Sequence, residues 1–256
     1  MANTSEFTEL KMKGFAQIFN LHCIIVDQIR ANFKIKGWNF APYLYLDLFA
    51  GPGKYNDRNY KGDGSPLIAL NILDRHCIPH EAGLINHDEH EIDSLRGVIK
   101  KRASIFHMDN MTFSSKLKKR KQQYGLAYFD NDNLRFCHEL AKTITACRPK
   151  IDLLFYFGAT NDKRVQKANG ESQTLINKMT DIGKDVWLIK EPVSRMQRTF
   201  LLGTNGKFGS WKKEGWHLVS TDSGFDILER MNLTKKEYTE KYGRQMTLFG
   251  VNNNEN

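Results

Sequence analysis

Apolar residues recur along this chain with two different periods. From residue 15 to 33 they fall at Phe15, Ile18, Phe19, Cys23, Val26 and Ile29, three and four positions apart. That spacing puts them on one face of a helix. Tyr43-Leu44-Tyr45-Leu46-Asp47-Leu48-Phe49 reads differently, as an apolar run interrupted by one carboxylate and ended at Gly51-Pro52-Gly53. A run of that length closed by a turn predicts a buried strand. A polar loop over 54–64 then leads to Ser65-Pro66. Serine as N-cap with proline in the first turn predicts a helix from 67 to about 75.

The alternation continues. Strands are predicted at 82–86, 104–108 and 125–130, and helices at about 89–101 and 134–146. Residues 151–157 are so apolar that the strand must be buried on both faces, as in a parallel sheet. A helix over 171–182 and closing strands at 186–189 and 199–202 complete the pattern. Strand–helix alternation of this kind predicts an α/β fold with a mostly parallel, doubly wound sheet. The domain plan is an N-terminal helical extension over 1–42, an α/β domain over 43–233 and a polar C-terminal tail over 234–256, expected to be flexible.

In doubly wound sheets a ligand sits beyond the carboxyl ends of the strands, where the strand order reverses. Each of the first four predicted strands ends near an acid: Asp47, then Asp88, Asp109 and Asp130 with Asp132. The backbone of Phe49, Ala50, Gly51 and Gly53 can approach a ligand closely, because glycine carries no Cβ. Asp47 suits a positively charged amine, Asp88 a pair of ribose hydroxyls and Asp109 an adenine amino group. The turn lacks the G-x-G-x-x-G of dinucleotide sites and leads into a loop, which disfavours a dinucleotide. The set points to S-adenosylmethionine as cofactor.

The arrangement resembles class I S-adenosylmethionine-dependent methyltransferases, with their Rossmann-like fold. More narrowly, residues 45–55 together with Gly64-Ser65-Pro66-Leu67-Ile68-Ala69-Leu70 are similar to the three-Cys-motif partner family. That resemblance implies a methyltransferase-like protein of a bacterial mobile-element or defence locus. Asp130 stands where amino-methyltransferases begin an Asp/Asn-Pro-Pro-Tyr motif, so the resemblance makes Asp130 and Asp132 the catalytic candidates. Here the segment is Asp130-Asn131-Asp132-Asn133, without the prolines and the aromatic. No Pro-Cys pair occurs, which disfavours methylation of cytosine at C5.

Charge bears on partners. The formal net charge is +9, and the excess is clustered at Lys100-Lys101-Arg102 and at 116–121. A basic surface suits nucleic acid, DNA ahead of RNA; that reading is set ahead of solvated helix faces because the clusters coincide with an expected enzyme. Lys163 and Arg164 are candidates to hold a phosphate backbone, and Trp211 and Trp216, among lysines, to stack bases. Gln245-Met246-Thr247-Leu248-Phe249 resembles the bacterial sliding-clamp-binding pentapeptide, with Gln245, Leu248 and Phe249 as contacts. Four dispersed cysteines argue against a zinc site or disulfide framework, and no metal is expected. With no apolar run of membrane-spanning length and no secretory signal, the expectation is a cytoplasmic protein.

Overall fold

The structure is a computed structural model, and it describes residues 7–132, 134–158, 166–168, 170, 175–192, 198–206 and 209–231. In chain order the elements are α1 (Thr8–Ile35), β1 (Tyr43–Asp47), β2 (Lys54–Asn56), β3 (Lys61–Asp63), α2 (Ser65–Arg75), β4 (His80–Asn86), α3 (Glu89–Ile99), β5 (Ser104–His107) and α4 (Asn110–Ser115). Then follow β6 (Gly125–Asp132), α5 (Leu134–Cys147), β7 (Ile151–Gly158), α6 (Leu175–Ile182), β8 (Val186–Lys190), β9 (Arg198–Thr204), α7 (Gly209–Lys212), β10 (Trp216–Leu218) and α8 (Asp222–Met231).

Eight strands form one sheet in the order β10-β8-β9-β7-β6-β1-β4-β5. The pairs from β7 through β6, β1 and β4 to β5 are parallel. β9 is inserted antiparallel between β7 and β8, and β10 adds an antiparallel edge. Successive strand residues point to opposite faces. Thus Tyr43 and Tyr45 pack in one apolar cluster with Phe15 and Phe19 of α1, Leu70 of α2 and Leu95 of α3. Leu44 and Leu46 pack in the other, with Leu140 of α5, Met179 of α6 and Leu228 of α8. Each large side chain so buried contributes about 1.5–3 kcal/mol. The sheet is therefore covered on both faces, the doubly wound arrangement read from the sequence.

α1 is a layer of this core. Phe15 lies 4.5 Å from the Tyr128 ring and Phe19 5.2 Å from that of Tyr45, centroid to centroid. Buried His22 bridges strand starts, its ring nitrogens 3.0 Å from Tyr43 Oη and 3.0 Å from Asp152 Oδ2. The helix thus runs against the strand direction, with its first turns at the carboxyl edge of the sheet. Among the described residues no helix is long and apolar enough to cross a membrane.

Several boundaries differ from expectation. The loop over 54–64 contains the antiparallel hairpin β2–β3. α2 begins at Ser65, with Gly64 as its N-cap; the Ser65 hydroxyl is used elsewhere. Trp211 and Trp216 are 3% and 2% exposed, packed 5.4 Å apart in the core, so neither is a surface for stacking bases. Residues 171–174, at the start of the expected 171–182 helix, lie outside the described residues.

Candidate functional site

The strand order reverses between β1 and β6: the chain leaves β1 for β4 on one side and returns later to β6 on the other. Asp47, the last residue of β1, is fully buried at this point. Its Oδ2 accepts from Tyr45 Oη at 2.8 Å and from Ser65 Oγ at 2.6 Å, while Phe49 N lies 3.4 Å from Oδ1. Burial raises its pKa to about 6. The bonds from Ser65 and Tyr45 oppose that shift, and the nearby charge of Asp130 adds to it.

The turn after Asp47 is held from several sides. Ala50 N donates to Ile85 O at 3.0 Å, and Ala50 O accepts from Asn86 Nδ2 at 2.6 Å. Gly53 has φ +80°, and a Cβ there would fall within 3 Å of the Leu95 and Val98 side chains of α3. Both constraints demand glycine. Gly64 N closes the loop onto Gly53 O at 2.8 Å. A Cβ on Gly51 would lie 2.5 Å from the Tyr55 hydroxyl, which the β2–β3 hairpin folds over the turn. Phe49 is half-buried against the second apolar cluster.

The next two acids are helix caps. Asp88 is exposed and accepts from Glu91 N at 3.1 Å, the N-cap of α3. Asp109 is also exposed and caps α4, accepting from Thr112 N at 2.8 Å and Thr112 Oγ1 at 2.5 Å. These bonds hold both carboxyls below the usual range. Asn86, buried at the end of β4, ties the pieces together. Its Nδ2 reaches Glu91 Oε2 as well as Ala50 O, and its Oδ1 accepts from Asp88 N.

β6 is irregular where it meets the site. Its register with β7 shifts between Phe129 and Asp132, so three steps on β6 face two on β7. Bulges of this kind re-aim side chains. Asp130, inside the shift, accepts from Lys11 Nζ at 2.8 Å. Asp132 ends β6 opposite Phe157. Beyond Lys11 opens a cleft of about 230 Å³, walled by Phe7, by Lys11 and Gly14 of α1, and by Tyr156, Lys190 and Phe200 of the sheet. Among the buried polar atoms that have no partner among the described residues are the Tyr128 hydroxyl and Asn110 Oδ1. Tyr128 is paired in register with Asp47, and Asn110 follows Asp109.

Asp47, the glycine turn and Asp130 are therefore brought together at the switch point, with Asp88 and Asp109 farther out along the same edge. Lys163, Arg164, Gln245, Leu248 and Phe249 lie outside the described residues. Sequence reading missed Lys11, Ser65, Asn86 and Tyr128. Ser65 reads from the sequence as a helix cap, and Tyr128 carries no signal beyond its place in a strand. Asn86 was visible as the residue two positions before the helix cap.

No protein-family model matches the chain, and no curated protein matches it in sequence. Solved structures do resemble it in fold. Protein LPL1258 from Legionella pneumophila aligns with a TM-score of 0.53 at 14% identity, covering 76% of this chain and 86% of that one. The bifunctional kinase-methyltransferase WbdD aligns with a TM-score of 0.46 at 15% identity, over 74% of this chain and 39% of that one. A methyltransferase from Geobacter sulfurreducens gives 0.40 and 11%, over 70% and 86%. Taken with the strand order and the N-terminal helix, the fold is a Rossmann-like, mostly parallel α/β sheet flanked by helices, shared with the Legionella protein.

Proposed function

We propose that this chain binds S-adenosylmethionine across the β1–β6 switch point and transfers its methyl group to nucleic acid, with a base amino group of DNA the favoured acceptor. The observation that carries the reading is the meeting of buried Asp47, the glycine turn and Asp130 around the unpartnered Tyr128 hydroxyl. The residues fit the cofactor in one further respect: Asn110 Oδ1, next to Asp109, has no partner among the described residues and can accept from an adenine amino group.

When bound, the cofactor supplies an electrophilic methyl on a sulfonium. Asp47 would orient the methionyl amine through the Phe49–Gly53 backbone beside it. Asp88 and Asp109 would accept from the ribose and adenine with the lone pairs their caps leave over. Asp130, or Asp132 beside it, would accept an N–H hydrogen bond from the acceptor amine and hold it in line, since methyl transfer depends chiefly on alignment. Lys163 and Arg164 are assigned to the acceptor's phosphates. The resemblance to the three-Cys-motif partner family supports a bacterial, phage or mobile-element setting. The clamp-like Gln245, Leu248 and Phe249 would bring the protein to DNA, in the cytoplasm.

The Lys11–Asp130 pair supports a second reading. A carboxylate already matched to a cation is a weak acceptor for an amine, which suits a non-catalytic cofactor-binding or nucleic-acid-binding component. The cleft beside Lys11 would equally suit a protein or small-molecule acceptor. Incubation with methyl-labelled cofactor and separate pools of DNA, RNA and protein separates these. Label on DNA supports the first reading. Binding without label on any pool supports the second, and label confined to protein would overturn the nucleic-acid assignment.

A further inference from the structure

The basic runs of this chain do not border the candidate site. In a parallel sheet every segment that leads into a strand lies at the amino edge, opposite the ligand edge. Lys36 precedes β1, Lys100-Lys101-Arg102 precede β5, residues 116–121 precede β6 and Lys150 precedes β7. Contacts between these segments confirm one continuous edge. Arg120 N donates to Cys147 O, the Arg120 guanidinium pairs with Glu81 at the start of β4, and Arg102 pairs with Asp74. Lys100, Lys101, Lys118, Lys119 and Lys121 project into solvent. The acids of the site, by contrast, stand at the other end of the strands.

Aromatic rings are interleaved with these cations. Trp38 is 58% exposed, with Lys36 Nζ 5.0 Å from its ring centroid. It stands edge-on to Phe33, which also meets Phe40 and Tyr124. Phe40 stacks on Tyr124 at 5.5 Å, and Lys150 Nζ lies 4.8 Å from the Tyr124 centroid. An indole exposed to this extent among cations offers a ring face on which a base can stack. In strand order the row runs from the β7 side across β6, β1 and β4 to β5. At the usual strand spacing that is about 19 Å, or roughly six nucleotides at the rise of one DNA strand.

We infer that this amino-end edge is a binding platform for single-stranded nucleic acid, its lysines holding phosphates and Trp38 stacking on a base. Cations tracking a backbone beside a ring that any base can stack on give affinity with little sequence preference. The platform is separate from the candidate site and does not depend on methyl transfer: it would anchor a strand on the far side of the sheet.

Fluorescence anisotropy of labelled 20-mers of dT and rU, titrated with the full-length chain, tests this. Wild-type protein should bind both, with affinity falling steeply as salt rises. Lys118→Glu with Lys119→Glu should weaken binding at least tenfold and flatten the salt dependence by about two units of slope, at roughly 0.7 per phosphate contact and more for reversal. Trp38→Ala should cost about fivefold or more and leave the slope unchanged. Both variants should melt like wild type and keep cofactor affinity, which separates this surface from the site. Unchanged oligonucleotide binding in both variants would overturn the inference. So would equal affinity for a 20-base-pair duplex, or binding to phosphatidylserine vesicles without binding to the 20-mers.

Discussion

Lys11 Nζ donates to Asp130 Oδ2 at 2.8 Å, so the second turn of α1 closes onto the bulged end of β6 across 119 residues of sequence. Both side chains are largely shielded, at 18% and 16% exposure. Removing one partner leaves the other charge poorly solvated, which costs more than the pair contributes. Lys11→Met should lower stability by about 1–3 kcal/mol in denaturant unfolding. A double-mutant cycle with Asp130→Asn should show coupling of about 1 kcal/mol, whereas additive losses would mean that the pair does not couple α1 to the site.

Asp47 makes the fold sensitive to pH. Its folded pKa of about 6 lies above its ordinary value of 3.8, so the native state keeps a proton that the unfolded chain has released. Stability is therefore lost as pH rises from about 4 to about 6, and is flat above that. Two units correspond to at most about 3 kcal/mol. Asp47→Asn should remove this slope, gaining on wild type across that window, while weakening cofactor binding at pH 7.5. Parallel stability curves for the two proteins between pH 4 and pH 7 would contradict the assignment.

Glycine positions separate turn geometry from simple flexibility. Gly53→Ala places a Cβ against Leu95 and Val98 at φ +80° and should cost about 1–3 kcal/mol. Gly97, in α3, has nothing within 4 Å of its Cβ position. Gly97→Ala should therefore stabilise by about 0.5–1 kcal/mol through helix propensity. Thermal melts of the two variants should move in opposite directions; shifts of the same sign would be inconsistent with the turn described.

Asp88 caps α3 and is also assigned to the ribose. Asp88→Ala should lower the melting temperature, and Asp88→Ser should restore most of that by capping in its place. Cofactor affinity should fall in both variants. If serine restores affinity along with stability, the carboxylate serves the helix and not the ligand.

Much of this was legible in the sequence because burial writes itself as pattern. The runs at 43–49 and 151–157 could only be interior strands, and the helical spacing from Phe15 located α1. The pattern failed where elements are too short or too polar to bury a face. β2 and β3 have three residues each, and the first turns of α1 carry few apolar positions. The acids at strand ends were visible, but their division of labour was not. Nothing local distinguishes Asp47, buried under Tyr45 and Ser65, from Asp88 and Asp109, exposed as caps. Lys11 joined the site only through the tertiary fold. The basic runs were plain in the sequence, yet their place at the edge away from the site follows from topology alone.

Calorimetric titration of S-adenosylmethionine into the full-length chain reads directly whether the β1–β6 switch point binds it. Binding should be saturable at one site per chain, weakened at least tenfold by Asp47→Ala and little changed by Trp38→Ala. Absence of heat and of any thermal stabilisation at millimolar cofactor would contradict it.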